Sequence, residues 1–305
     1  MPLGDDNRDQ RFVKRTGRVD STRDESVAVS AVNVSQVPQL SPFRYPGGKT
    51  WLIPYIRKWL SRYGGPSTGL VEPFAGGGIV SLTGVFEGLV KDATLVELDE
   101  DIAAVWETIL NGHGPWLAEA ITRFKPTAES VRRVIARAEE SLERRAFASI
   151  VRNRVMRGGI LAPGAGFVKR GENGKGLSSR WYPQTLRRRI LQIVEHSDRI
   201  RFTAGDGLKV LRSLQGRTDV VFFIDPPYTV AGRRLYKYFE VDHNDLFAIA
   251  SRLKGNFLMT YDSADEIRSL ADEHGFDRRA IEMKTTHHRQ KTELLIGRDL
   301  DWLER

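Results

Sequence analysis

The sequence predicts an α/β protein: a parallel sheet with helices on its faces, carrying an inserted and mainly helical module. Three observations predict it. Short apolar runs of strand length alternate with helical periodicity before Gly112 and again after His196. Glycine-rich or acidic turns follow several of those runs. Between the two stretches lies a long basic segment that breaks the rhythm.

Taken in order, the chain opens with a polar stretch of mixed charge, Met1 to Leu40, without the apolar centre of a signal peptide. It reads as a disordered tail over 1–40. Ordered structure is expected from about Pro42. Thr50 is placed to cap a helix from Trp51 to about Tyr63, with Leu52, Tyr55, Ile56, Trp59 and Leu60 at helical spacing. Pro54 falls in its first turn, where its missing N–H costs little, and Gly64-Gly65-Pro66 ends it. Leu70-Val71 is a strand leading into the turn Glu72 to Gly78, followed by a helix from Ile79 to about Leu89. The next strand runs from Ala93 to Leu98, and the helix after it carries Ile102, Val105, Trp106 and Ile109. A single long amphipathic helix is expected from about Ala128 to Val155, with Val131, Val134, Ile135, Ala138 and Leu142 on one face. The glycine-rich, basic loop from Gly158 to Ser179 is too long for a plain connector. Strands are expected again at Ile200–Thr203, Val220–Ile224, Phe257–Thr260, Ala280–Met283 and Glu293–Ile296, all in one parallel sheet. The α/β domain is thus 41–112 with 199–305, and the inserted basic module is 113–198.

Composition narrows the chemistry. The chain of 305 residues has no cysteine, which excludes disulfides, thiolate metal sites and a cysteine nucleophile. Methylation at a cytosine ring carbon, which needs an attacking thiolate, goes with them. No apolar run approaches the roughly 20 residues of a membrane span. Net charge is +8, but its placement matters more. From Arg123 to Arg201 there are 19 Lys/Arg against 7 Asp/Glu, so this segment is +12 and the rest of the chain −4. A basic block on a slightly acidic body is the footprint of a nucleic-acid-binding module, although runs such as Arg187-Arg188-Arg189 also occur on solvated helix faces.

The strand Val220–Ile224 ends in Asp225-Pro226-Pro227-Tyr228. That places a carboxylate, a turn with two backbone donors removed and an aromatic face at the carboxyl end of a sheet, where ligands of open α/β sheets bind. An exocyclic amino group needs two acceptors and a ring to lie on, and the tetrapeptide supplies both. A plain strand-to-loop turn is the alternative. The turn Glu72 to Gly78 between strand and helix lets a ligand approach the backbone at a helix N-terminus. Glu97 ends the next strand about 20 residues on, the usual place for a carboxylate that holds ribose hydroxyls. Together they suggest a nucleoside-containing cofactor; the strict GxGxxG of dinucleotide enzymes is absent. Gly47-Gly48-Lys49-Thr50 invites a P-loop reading but fails it, because Phe43 stands where the loop needs glycine. A tight turn presenting Lys49 to a carboxylate or phosphate is the better reading.

These blocks, in this order, resemble the Dam-like, alpha-class DNA adenine-N6 methyltransferases. The resemblance rests on Tyr45-Pro46-Gly47-Gly48-Lys49, Glu72 to Gly78, Glu97, Asp225-Pro226-Pro227-Tyr228 and Lys291-Thr292-Glu293-Leu294-Leu295, and spans about Pro42 to Arg298. It implies a Rossmann-like S-adenosylmethionine-dependent methyltransferase sheet. Carried over by position, Tyr45 and Pro46 pack by the cofactor and Lys49 contacts it, with Gly47 and Gly48 forming the turn. The turn containing Pro73, Phe74, Gly76 and Gly78 cradles its methionine part, Glu97 takes the ribose hydroxyls, Asp206 lies near its adenine, and Asp225 borders it. The family often has Trp at the place of Tyr45 and Asp at that of Glu97; both changes keep the chemistry. Asn153-Arg154 matches the start of a recognition segment, but Val155-Met156-Arg157 lacks its usual aromatics, which argues against the family's common GATC site.

The resemblance further implies double-stranded DNA as partner, a setting in which a cognate restriction endonuclease is a candidate second partner, and a cytoplasmic, bacterial, archaeal or phage-encoded protein. No membrane or metal is expected. In the implied reaction Asp225 and the Pro226 carbonyl accept the two amino protons of a flipped-out adenine, Pro227 rigidifies the turn, Tyr228 stacks on the base, and the nitrogen attacks the methyl group in line. The basic segment grips phosphates, with Arg152, Arg154, Lys169, Arg170 and Arg180 as candidates for reading base edges. His287-His288 beside Arg289 are phosphate contacts or simply a strand end. Methylation of cytosine N4 or of RNA adenine, a catalytically silent DNA-binding relative and a nucleotide hydrolase are the competing readings; Asp225 favours adenine, an intact tetrapeptide with Lys49 disfavours silence, and Phe43 disfavours hydrolysis.

Overall fold

A computed structural model describes residues 37–44, 47–161, 166–168, 170–171, 174–228, 237–238, 240–284 and 290–304. The tail as far as residue 36, Tyr45, Pro46, Lys169, His287, His288 and Arg289 lie outside the described residues.

Seven strands form one sheet. They are β1 (Gly69–Glu72), β2 (Ala93–Glu97), β3 (Ile200–Ala204), β4 (Val220–Ile224), β5 (Phe257–Asp262), β6 (Asp277–Lys284) and β7 (Gln290–Gly297), in the order β3-β2-β1-β4-β5-β7-β6. β3, β2, β1, β4 and β5 pair in parallel. β7 runs antiparallel to both β5 and β6, which corrects the expectation of a wholly parallel sheet. The cause is local: β6 and β7 follow one another too closely for the long crossover that parallel strands need, so they pair antiparallel.

The strands bury alternate residues on opposite faces. In β4, Val221 and Phe223 join one hydrophobic cluster while Val220, Phe222 and Ile224 join the other. A continuous apolar run is what a strand covered on both faces requires. On the first face lie α1 (Ile53–Tyr63), α2 (Ile79–Phe86) and α3 (Glu100–Thr108). On the second lie α8 (Gly207–Ser213), α9 (His243–Arg252) and α10 (Asp265–Glu273).

Between α3 and β3 come α4 (Gly114–Arg123), α5 (Ala128–Ala136), α6 (Leu142–Val155) and α7 (Pro183–Glu195). These helices have no separate core. Ile150, Val151, Val155, Leu186 and Ile190 belong to the same buried cluster as Leu95 and Trp106.

Two local expectations are corrected. The single helix from Ala128 to Val155 is two helices: Ser141 is extended, and its side chain accepts from the Arg144 N–H to cap α6. Leu142 is consequently exposed, and α6 buries Ala146, Ile150, Val151 and Val155 instead. Thr50 does not cap α1. It sits in a 3-10 turn, Lys49–Leu52, that leads directly into the helix without a side-chain cap.

Candidate active site

The order of strands reverses direction between β1 and β4, and a ligand crevice belongs at that point, outside the carboxyl ends of the strands. A cavity of about 600 Å³ opens there. Its wall includes Glu72 from the end of β1, Glu97 from the end of β2, Gly205 and Asp206 after β3, and Asp225 after β4. Gly48, Lys49, Pro73, Phe74, Gly78 and Pro227 also line it, whereas Gly47, Gly76, Pro226 and Tyr228 do not.

The turn after β1 is shaped by close approach. Gly78 has φ 63°, and a Cβ there would meet Leu95 at 2.6 Å and Trp106 at 2.8 Å. Gly207, at the start of α8, passes so close that a Cβ would lie 2.1 Å from the Pro73 carbonyl oxygen. Gly76 acts from behind the cavity wall. Its N–H donates to Glu97 Oε2 at 2.9 Å, and its carbonyl accepts from Trp106 Nε1 at 3.0 Å.

Three backbone N–H groups hold the Glu97 carboxylate: Gly76 on one oxygen, Leu98 and Asp99 on the other. Burial raises its pKa to about 7, helped by the nearby Asp99 charge and opposed by the three donors. Glu72 is more deeply enclosed, at 3 % exposure. Its Oε2 accepts from the N–H and the hydroxyl of Ser81, in the first turn of α2, yet burial still drives its pKa to about 8. Asp206 caps α8 by accepting from the Leu208 N–H at 2.8 Å.

At the other end of the cavity, Asp225 is held by two partners. Thr260 Oγ1, on β5, donates to Oδ1 at 2.7 Å. Lys49 Nζ lies 2.9 Å from Oδ2. Lys49 also donates to the Gly47 carbonyl at 2.9 Å and stands 3.6 Å from Glu293 Oε2 on β7. Burial alone would lower the Lys49 pKa, but the Asp225 and Glu293 carboxylates outweigh it and raise the value, so this buried side chain remains a cation. Tyr228 stacks on Tyr261 with ring centroids 6.1 Å apart, donates its hydroxyl to Glu293 Oε2 at 3.1 Å, and has Lys49 Nζ 5.0 Å from its ring centre.

Sequence reasoning therefore missed three supports of the site: Glu72, Thr260 and Glu293. Glu72 and Glu293 stood inside motifs that had been singled out. Thr260 carried no signal, since only the pairing of β4 with β5 brings it to Asp225.

The candidate DNA contacts divide. Arg170 is exposed and Arg180 half-buried. Arg152 turns inward, to Asp101 Oδ2 at 2.7 Å and the Leu161 carbonyl at 3.1 Å. Arg154 is buried, bonded to the Pro42 carbonyl at 2.7 Å, and lines the cavity. Arg152 is half-buried, and Arg154 does not stand on an outer face of the protein. Asn153 fixes the entering chain by accepting from the Arg44 N–H at 2.8 Å and donating to its carbonyl at 3.0 Å. Much of the basic segment is internally compensated at the surface, as in Arg133–Glu129, Arg137–Glu140 and Arg144–Glu140.

The residues present fit S-adenosylmethionine. A backbone cradle meets a helix start at Gly78, and the acidic side chains of Glu97 and Glu72 line the same cavity, which suits the hydroxyls and the cationic part of that molecule. No helix among the described residues is long and apolar enough to cross a membrane.

Likeness to solved structures is remote. A candidate RNA methyltransferase from Pyrococcus horikoshii is 13% identical over 88% of this chain and 94% of its own, with a TM-score of 0.39. The rRNA methyltransferase aviRa from Streptomyces viridochromogenes is 14% identical over 85% and 88%, also at 0.39. The tRNA methyltransferase TrmK of B. subtilis is 10% identical over 81% and 66%, at 0.35. No curated protein matches the sequence. A family match is found instead within the chain's first half: residues 45–145, ending in the first turn of α6, match the D12 class N6 adenine-specific DNA methyltransferases.

Proposed function

We propose that the protein methylates the exocyclic N6 of adenine in double-stranded DNA, after the base has swung out of the helix. The observation that carries this reading is the placement of Asp225: it stands in the same cavity as Glu97 and the Gly78 turn, with its carboxylate fixed by Thr260 and Lys49.

S-adenosylmethionine supplies a methyl group on a positively charged sulfur. The chain's own residues supply position. An adenine amino nitrogen is a poor nucleophile because its lone pair is shared with the ring. Asp225 accepts one amino proton in a hydrogen bond and the Pro226 carbonyl accepts the other, which holds the nitrogen pyramidal and its lone pair free. Lys49 and Thr260 keep the Asp225 carboxylate from rotating away, so this geometry exists before the base arrives. With the donor bound, the nitrogen would take the methyl group, the sulfur would keep the electron pair of the broken carbon–sulfur bond, and the surplus amino proton would pass to Asp225 or to water. No covalent bond to the protein forms, in keeping with a chain that has no cysteine. Tyr228 borders this end of the site and is held by Glu293 and Tyr261. Flipping costs a few kcal/mol, and the exposed cations of the 157–188 stretch are suited to gripping phosphates while it happens.

Modification-aware sequencing of DNA from a methylation-free host expressing the chain tests this reading. N6-methyladenine at one recurring sequence is expected. Methylation confined to cytosine, or to RNA, would replace it.

A further inference from the structure

We propose that Arg154 and Arg189 form an oxyanion subsite in the wall of the Asp225 cavity, taking one carboxylate or phosphate group of the ligands bound there. The inference rests on the function proposed above and names a contact that this function leaves unassigned.

Arg154, on α6, is only 4 % exposed, yet it has no carboxylate partner among the described residues. One of its nitrogens donates to the Pro42 carbonyl, and its Nε–H has no acceptor. Its charged neighbours are cations. Burial, and then the charges of Arg189 and Arg44, together lower its pKa to about 9, opposed by Tyr182, which still leaves it charged at neutral pH. Arg189, on α7, is likewise lowered by burial and by Arg188; it donates to the Ser41 carbonyl at 3.0 Å. Both side chains line the cavity that Lys49 and Asp225 line.

Burying an uncompensated cation is expensive, on the order of several kcal/mol. Elsewhere the protein avoids the cost: Arg152, two residues away on the same helix, finds Asp101 at 2.7 Å. A buried guanidinium that lines a cavity beside a second one, with a donor that no acceptor meets, is suited to a planar oxyanion supplied from outside. Two sources have that chemistry. One is the carboxylate of the cofactor's methionine part; the other is a phosphate beside the flipped nucleotide.

The test compares the full chain with Arg154→Gln and Arg189→Gln. Binding is measured for S-adenosylmethionine, for its decarboxylated form and for a duplex oligonucleotide. Each variant is expected to lose about 10- to 100-fold in affinity for the ligand that supplies the anion. A carboxylate source weakens S-adenosylmethionine but spares the decarboxylated form. A phosphate source spares both cofactors, weakens the duplex, and lowers the slope of log affinity against log salt by about one. Variants that fold and bind all three ligands as the wild type does would overturn the proposal. Thermal melting in inorganic phosphate against chloride at equal ionic strength is a second readout: the wild type should gain more than either variant, and equal gains would count against the subsite. Arg189 is less buried, so Arg189→Gln carries the comparison if Arg154→Gln does not fold. A wild type that binds neither cofactor nor DNA would sink the proposed function, while the phosphate-dependent melting would still decide the subsite.

Discussion

Lys49 Nζ lies 2.9 Å from Asp225 Oδ2, joining the turn before α1 to the residue that follows β4. Glu293, 3.6 Å from the same ammonium, adds the antiparallel strand β7 to the junction. One buried cation thus shares two carboxylates drawn from far apart in the chain. Such a pair needs support from several sides to persist, because each charge is costly to bury alone. The motif blocks at Lys49, Asp225 and Glu293 therefore form one physical unit.

Thr260 is the least visible member of that unit. Thr260→Val keeps the shape and removes the donor to Asp225 Oδ1. The loss of one hydrogen bond to a charged group, about 1.5–3 kcal/mol, should slow single-turnover methyl transfer about 10- to 100-fold. S-adenosylmethionine affinity should stay close to that of the wild type. An equal loss in cofactor affinity would mean that Thr260 acts on the whole pocket and not on Asp225.

Glu97 gives the cofactor site a pH dependence. Its pKa rises from the ordinary 4.5 to about 7 because the carboxylate is desolvated. In the proposed contact ribose hydroxyls donate to the ionised form, so affinity for S-adenosylmethionine should be flat above about pH 7 and fall below it, by up to about tenfold per unit. Glu97→Gln should bind more weakly and lose most of that dependence. Isothermal titration from pH 5.5 to 8.5 checks both, and a flat wild-type profile contradicts the assigned contact.

Glu72 acts on stability. Its folded-state pKa of about 8 lies above the ordinary 4.5, so between these values the folded chain holds more protons than the unfolded one. Stability from this group is then lost as pH rises through that window. Glu72→Gln removes the ionisable group. Its melting temperature should gain on the wild type's from pH 5 to 8, and the gap should level off above. A gap that stays constant with pH would show that Glu72 does not titrate there.

Much of this was legible in the chain. The apolar runs and the turns after them predicted six of the elements around the cavity, because a strand covered on both faces leaves a continuous signature. The reversal of β7 was not legible, since strand direction depends on connection length and pairing rather than on composition. The break at Ser141 was written in a capping residue, but an apolar periodicity running past it concealed the signal. The burial of Arg154 was not legible for another reason. A basic residue in a basic segment looks like surface until the fold shows α6 packed beneath the entering chain at Pro42.

DNA grip is predicted to reside in the exposed cations that remain. Arg170 and Lys175 are exposed and have no ion pair among the described residues. Changing both to glutamine should lower the slope of log affinity against log salt by about two and leave cofactor affinity unchanged. Filter-binding or fluorescence titration at several salt concentrations gives that slope directly; identical slopes would remove this loop from the DNA contact.

The central claim concerns Asp225, and nucleoside mass spectrometry of duplex DNA incubated with S-adenosylmethionine and the purified chain tests it most directly. The wild type should yield N6-methyldeoxyadenosine, and Asp225→Ala should yield essentially none while still binding the duplex with near wild-type affinity. Near-normal N6-methyldeoxyadenosine from Asp225→Ala would contradict the account.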